Sequence, residues 1–300
     1  MAILVTGAGG FIGQSFLNHF EKLDIISLYH SKQFNNKNNI FHLDLTNLKH
    51  VNSLYKSLEG KKIDTIFHFA AVTPFSKSNN KIDFNKDIKM AEHLMQVCKL
   101  FRIKKLIFTN GWIVYDPKNK TPYKETSKLN PNTDYGKSKL AVESYFKNKL
   151  KTTKLINLRL SSVYGPGQLT SGLIPNLVNS AISTNIMTIN TIQSRRDYLY
   201  IEDLNKIFGS LIKKNITNSI DLNIGSGTSV SVLDVALYIQ DIMYSNFNKQ
   251  TELIIKSPLT ISSPGNNVLD ISKAEKYFSK FNRTDIKNGL FLYIKWMLKK

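Results

Sequence analysis

Short, continuously apolar runs alternate with segments of helical period through the first half of the chain, and this alternation restricts the fold more than any other feature. AILVTG (2 to 7), DIISLY (24 to 29), IFHLDL (40 to 45), DTIFHFA (64 to 70), KKLIFTN (104 to 110) and KLINLRLS (154 to 161) have the length and composition of strands buried on both faces. Between them FIGQSFLNHFEKL, LKHVNSLYKSL and FNKDIKMAEHLMQVCKLF place apolar residues at i, i+3 and i+4. That order predicts an α/β protein: a parallel sheet covered by helices on both sides, with ligands bound outside the carboxyl ends of the strands. After residue 165 the pattern is less regular. A turn-rich loop, YGPGQLTSG (164 to 172), leads to a helix over SGLIPNLVNSAI, a short strand around DLNIGSG (221 to 227), and helices near 272 to 280 and 285 to 299. The last of these is basic and amphipathic, and it reads as a helix closing a core in preference to one lying on a membrane.

A chain of 300 residues with 42% hydrophobic residues has enough apolar surface for a sizeable core. Its net charge of +19 raises nucleic acid as a partner, but only five of the 41 basic residues are arginines: Arg102, Arg159, Arg195, Arg196 and Arg283. Bidentate reading of bases and phosphates favours arginine. Lysines spread through every segment read as a solvated, chain-wide bias, so no nucleic-acid partner is expected. The single cysteine, Cys98, lies in an apolar-periodic stretch and reads as a buried structural thiol, and no metal site is expected. The N-terminal MAILVTGAGG lacks a basic n-region, and no apolar run approaches membrane-spanning length. A cytoplasmic location with no membrane partner is the expectation.

Two stretches carry chemistry. TGAGGFIG (6 to 13) joins the first strand to the first helix, with Gly7, Gly10 and Gly13 spaced GxxGxxG; Ile12 stands where the commoner GxGxxG fingerprint has glycine. Such a turn brings backbone close to a pyrophosphate and offers it the free amides of a helix N-terminus. In TDYGKSKLAVE (133 to 143), Tyr135 precedes Lys139 by four residues, so phenol and ammonium share one helix face.

GxxGxxG followed by YxxxK resembles the short-chain dehydrogenase/reductase superfamily. HFAAV (68 to 72), RLSSVYGPGQ (159 to 168), RRDYLYIEDL (195 to 204), NIGSG (223 to 227) and LDISKAEKYF (269 to 278) are similar, in order, to motifs of its extended branch, the NAD-dependent epimerases, dehydratases and reductases of nucleotide sugars. The resemblance implies a Rossmann-type doubly wound parallel sheet with a smaller C-terminal α/β substrate lobe. Residues 1 to 165 would form the NAD(P) domain and 166 to 300 mainly the lobe, with segments near 190 to 225 returning to the first domain. It assigns Tyr135 as the acid/base that exchanges a proton with a sugar oxygen while nicotinamide takes or gives a hydride. Lys139 would supply positive charge and bond the nicotinamide ribose; an unperturbed tyrosine, with pKa about 10, is a poor base near neutrality without such help.

The branch also places a Ser or Thr hydroxyl at the end of the preceding strand, four residues before the tyrosine of a V-Y pair. Here IFTNGWIVY (107 to 115) has Gly111 at that place, leaving Thr109 or the amide of Asn110 as candidate replacements. Dehydratases follow the hydroxyl with Asp-Glu, where this chain has Trp112 and Ile113. Epimerases acting at carbons 3 and 5 use a cysteine, and none lies near this stretch. One-directional reduction of a 4-keto sugar nucleotide, in surface-polysaccharide (O-antigen type) synthesis, is therefore the leading expectation. The alternatives are a C4 epimerase with tightly held NAD and an NAD(P)-binding protein without catalysis.

Carried over residue by residue, the cofactor site comprises Gly7, Gly10, Phe11, Ile12, Gly13, His30, Asp44, Leu45, Phe69, Ala70, Ala71, Tyr135, Lys139 and Ser162. Thr73, Gly111 and Arg196 fall on the substrate side, Arg196 gripping the diphosphate. The acid that bonds the adenosine ribose at the end of the second strand is replaced by Tyr29, followed by His30, Ser31 and Lys32, which favours NADP(H) with NAD(H) as the alternative. Ser162 and Ser263 stand where the branch has an asparagine and a second diphosphate-binding arginine. A nucleotide-diphosphate sugar is the expected partner, and the branch commonly forms homodimers through a four-helix contact that includes the Tyr135 helix.

Overall fold

The structure, a computed structural model, describes residues 1–30, 39–73, 83, 85–169, 172–192, 194–256, 267–279 and 283–300. In chain order the elements are β1 (Ala2–Thr6), α1 (Phe11–His19), β2 (Ile25–Tyr29), β3 (Ile40–His42), α2 (Leu48–Ser57), β4 (Ile63–His68), α3 (Asn85–Leu100), β5 (Lys105–Gly111), α4 (Asp134–Lys149) and β6 (Lys154–Leu160). There follow β7 (Ser162–Tyr164), α5 (Leu173–Ser183), β8 (Ile186–Ile189), β9 (Arg195–Arg196), β10 (Tyr198–Tyr200), α6 (Ile201–Lys213), β11 (Ile220–Ile224), β12 (Val230–Ser231), α7 (Val232–Phe247), β13 (Glu252–Ile255), α8 (Ser272–Phe278) and α9 (Ile286–Met297).

The chain forms two compact units: Met1–Asp116, Lys128–Arg159 and Gly209–Leu222 make the first, and Pro117–Ser127, Leu160–Phe208 and Asn223–Lys300 the second. The first is built on a seven-stranded parallel sheet in the order β11-β6-β5-β4-β1-β2-β3, the expected doubly wound arrangement with flanking helices. All five residues of β1 are buried, as a central parallel strand with both faces covered requires. Leu4, Ile26, Ile66, Leu106 and Phe108 share one core with Val51, Leu54, Leu94 and Val97 from the helices. Cys98 belongs to the same core, 3% exposed, and burial pushes its thiol up to about 12, so it stays protonated and inert.

Strand β3 is shorter than its apolar run. Asp44 leaves the ladder to accept bonds from the amide and hydroxyl of Thr46 (2.8 and 2.7 Å), turning the chain into α2, which Asn47 caps through Lys49 N.

In the second unit β7 and β10 are parallel, as are β8 and β13, while β9 and β12 are antiparallel. Helices α5, α7 and α9 enclose a core containing Leu177, Val178, Ile239, Met243, Leu290 and Ile294. The terminal amphipathic segment thus closes this core. Asp197 ties the unit's motif segments together: its carboxylate accepts from Ser226 N, Ser226 Oγ, Gly227 N and Leu269 N at 2.7 to 3.3 Å. The family-like RRDYLY, NIGSG and LDISKA stretches are neighbours for this structural reason.

Candidate active site

The glycine turn is shaped for a close-approaching ligand. Gly7 has φ +68°, and a Cβ there would lie 2.6 Å from the Phe69 carbonyl carbon and 2.8 Å from Ala70 Cα. Only glycine lets the turn after β1 sit against the chain leaving β4. That second segment is fixed in turn: Phe69 N donates to Thr6 O (3.1 Å) and Ala70 N to Thr6 Oγ1 (3.3 Å). No side chain caps the N-terminus of α1 at Gly10, so the amides of the first turn, among them Phe11, Ile12 and Gly13, remain available to an anion. An uncapped helix end beside a cradle that a Cβ would fill suits the pyrophosphate of a dinucleotide.

Tyr135 and Lys139 lie in the first two turns of α4. Thr133 caps this helix by accepting from Gly136 N (3.1 Å). A Cβ on Gly136 would stand 2.6 Å from Ile113 O and 2.7 Å from Pro131 Cβ, so glycine sets how closely the start of α4 meets the segment after β5. Gly136→Ala is expected to destabilise the protein by about 2 kcal/mol, as forced overpacking does, and a lowered urea midpoint would register it.

Lys139 is 5% exposed and donates to Thr109 O at 3.2 Å, with its Nζ 5.2 Å from the Phe108 ring centre and 5.9 Å from that of Tyr135. Burial lowers its ammonium to about 8, with the Asp87 charge acting in the opposite sense. Burial also pushes the Tyr135 phenol up to about 12, reinforced by Asp87, so the tyrosine is protonated at neutral pH. His68, 2% exposed, is bonded to Thr6 Oγ1 through Nδ1 (2.7 Å) and held neutral by desolvation and by Lys139, its pKa falling to about 3. It packs; it is not placed to move protons.

The end of β5 holds Gly111 in extended backbone (φ −142°, ψ 158°), followed by a short turn, Trp112–Val114. Thr109 Oγ1 donates to His68 O (3.1 Å). Asn110 Nδ2 donates to Glu143 Oε2 (2.6 Å) while its Oδ1 accepts from Gly111 N (2.9 Å). Glu143 is 1% exposed and is the hub of a buried cluster with Arg159 (2.6 Å) and Lys147 (2.7 Å). One Asn110 amide hydrogen, its Oδ1 and the Thr109 hydroxyl hydrogen are thus engaged within the scaffold.

At the carboxyl end of β2, Tyr29 closes the strand, 5% exposed, its hydroxyl 3.5 Å from Gln14 Nε2. Among the described residues no carboxylate closes that strand. Exposed His30 follows, while Ser31 and Lys32 lie outside the described residues. Desolvation pushes the Asp44 carboxyl up, but the Thr46 bonds and the charges of His30 and His50 outweigh it and hold it below its usual range. Leu45 is pinned by His93, whose Nδ1 meets Leu45 O at 2.6 Å. Ala71 and exposed Thr73 continue the segment after β4.

Ser162 and Arg196 belong to the second unit. Ser162 N donates to Asp197 O (3.1 Å). Arg195 is bound by Ser229 (3.1 and 2.8 Å), whereas Arg196, paired with Val230 across β9 and β12, is only partly buried. Ser263 lies outside the described residues. Sequence reasoning missed Asp87. This carboxylate, 4% exposed, accepts from Val72 N and Ser138 Oγ, both at 2.7 Å. Its signal was available: Asp87, Ala91, Leu94 and Cys98 follow one inward stripe of α3.

Two curated relatives and one solved structure, named for three different reactions, are similar to the chain. It is 31% identical over 268 residues to a dTDP-D-glucose 4,6-dehydratase of Dictyostelium discoideum, covering 80% of this chain but only 62% of that protein. It is 30% identical over 296 residues to the dTDP-4-dehydro-6-deoxyglucose reductase of Escherichia coli, covering 91% and 90% of the two chains. A UDP-glucose 4-epimerase from Thermotoga maritima, solved with UDP-glucose, superposes with a TM-score of 0.84 at 21% identity, covering 100% and 99%; at that identity the likeness is one of fold. A family model described as NAD dependent epimerase/dehydratase matches residues 3–225, from β1 and its glycine turn, through the Tyr135–Lys139 helix, to the strand before the Ser226 loop. On that match and on the parallel sheet that carries it, the chain belongs to the NAD dependent epimerase/dehydratase family.

Proposed function

We propose that this protein is an NADPH-preferring reductase of the 4-keto group of a nucleotide-linked deoxysugar, acting in surface-polysaccharide synthesis. The observation that carries the reading is Tyr135: a half-buried phenol held protonated one helical turn from the buried Lys139 ammonium is placed to give a proton. NADPH, when bound, supplies the hydride to the ketone carbon. Tyr135 gives its proton to the ketone oxygen as negative charge develops there, and Lys139 steadies the resulting phenolate. Trp112 and Ile113 offer no carboxylate for loss of water, which argues against a dehydratase. The missing acid at Tyr29, with His30 beside it, supports tolerance of a 2′-phosphate.

Gly7, Gly10, Phe11, Ile12 and Gly13 would hold the pyrophosphate, Asp44 and Leu45 the adenine, and the main chain of Phe69, Ala70 and Ala71 would lie against the cofactor. Arg196 would grip the sugar nucleotide's diphosphate, with Thr73 and Gly111 against the sugar. A cytoplasmic homodimer is part of the same reading; helices α3 and α4 pack together in the first unit and would supply its contact. No helix among the described residues is long and apolar enough to cross a membrane.

The test is NADPH consumption by the purified protein against CDP-, dTDP-, UDP- and GDP-linked 4-keto-6-deoxy sugars. Loss of NADPH with one of them is expected. NAD that survives purification, with interconversion of 4-hydroxy epimers and no NADPH loss, would replace this reading with a C4 epimerase.

A further inference from the structure

A buried ammonium needs a counter-charge, because removing it from water costs several kcal/mol unless an anion answers it. Lys139 sits at 5% exposure, bonded to the Thr109 carbonyl and flanked by aromatic rings, and among the described residues it makes no ion pair within 4 Å. The charged and titratable groups around it among the described residues are few. On its own helix, Glu143 is taken by Arg159 and Lys147, and Asp134 is exposed beside Lys137. From β4, His68 is neutral, and β5 presents Phe108 and Thr109. Helix α3 contributes Asp87, a carboxylate 4% exposed and held from two sides by Val72 N and by Ser138 Oγ, the residue immediately before Lys139.

We propose that Asp87 is the counter-ion of this site: its buried, doubly bonded carboxylate keeps Lys139 in the ammonium form at neutral pH and opposes phenolate formation at Tyr135. Resting on the reductase reading above, this deepens it. Asp87 is a positioning residue that acts through charge: it holds Lys139 cationic, and the ammonium in turn steadies the phenolate left when Tyr135 gives its proton. The Asp87 charge raises the affinity of both groups for their protons, which favours the Lys139 ammonium and leaves the Tyr135 phenol protonated until the reaction draws its proton away. Lys139 gains its charge below its folded pKa of about 8 and loses it as the pH rises through that value. Removing Asp87 therefore moves the loss of charge to lower pH, into the neutral range.

The measurement is the titration of Lys139 by NMR of 13C-labelled lysine in the full-length protein, its signal assigned by Lys139→Met. Asp87→Asn keeps size and bonding capacity while removing charge. It is expected to lower the Lys139 pKa by about one unit or more, the usual size of an opposite-charge effect at short range. Ser138→Ala, which deletes one bond but leaves the charge, is expected not to lower it. Should Asp87→Asn fail to fold, Asp87→Ser takes the same reading. An unchanged Lys139 titration in a folded, uncharged variant, or an equal fall in Ser138→Ala, overturns the proposal and leaves Asp87 as a structural clamp. The readout needs no substrate, so it is separate from the fate of the reductase reading. A shifted Lys139 with no turnover on any keto sugar would sink only the reductase.

Discussion

Tyr135→Phe is expected to lower turnover about a thousandfold or more while leaving NADPH affinity within a few-fold of the wild type. Positioned proton transfer is worth roughly 10²–10⁴ in rate, and the other polar side chains described near Lys139 are already bonded within the scaffold. His68 is neutral and bonded to Thr6, Asn110 is engaged with Glu143, and Thr109 donates to a carbonyl. The phenylalanine ring keeps the packing against Lys139, so the loss should appear in kcat without a matching loss of cofactor binding. Turnover within tenfold of the wild type would remove Tyr135 from the chemistry.

Gly111→Ser is expected to act in the opposite direction and raise turnover about ten- to a hundredfold. The expectation follows from the family place of this residue and from what surrounds it. A Cβ here would meet Ile113 Cγ2 at 3.6 Å and Ile113 N at 3.9 Å, which is ordinary contact, and the extended backbone suits any residue. A hydroxyl can therefore be added without strain, and the Gly111 amide keeps its bond to Asn110 Oδ1. One donor to a developing oxyanion is commonly worth about 10²–10³ in kcat when lost, and a retrofitted donor recovers part of that. A serine variant no faster than the wild type, at unchanged stability, would mean that the reacting oxygen is bonded in some other way.

The sheet was legible because its strands are buried on both faces and so appear as unbroken apolar runs. Where polar chemistry takes over the prediction overran: residues 43 to 45 continue the apolar run of β3, but the bonds of Asp44 to Thr46 turn the backbone out of the ladder. Two helices of the second half went unread. In α7 the inward Val232, Val235, Ile239 and Ile242 follow helical spacing, yet Leu237 and Tyr244, 43% and 60% exposed, blur the periodicity. Its start carries a capping box, Ser231 with Asp234, in which the shorter acid stands in for the usual glutamate. Helix α6 begins directly after β10 with no turn residue between them, so its first turn reads as part of the RRDYLYIEDL motif.

The site divides along similar lines. Gly7 and the Tyr135–Lys139 pair are local patterns, and spacing alone brings them out. The commitments of Thr109 and Asn110 depend on His68 and Glu143, which are distant in sequence. Asp87, one acid in an otherwise ordinary helix, shows its weight only when Val72 and Ser138 are seen to converge on it.

The most direct test of the account is the fate of deuterium. NADPH carrying deuterium at the transferable C4 position, incubated with the keto sugar nucleotide that supports NADPH loss, is predicted to leave one deuterium on carbon 4 of the released sugar. One equivalent of NADP⁺ should form per product, and both signals should fall together in Tyr135→Phe. Product formed without deuterium at carbon 4, or at a rate indifferent to Tyr135, would contradict the claim that this helix presents the proton for a hydride reduction.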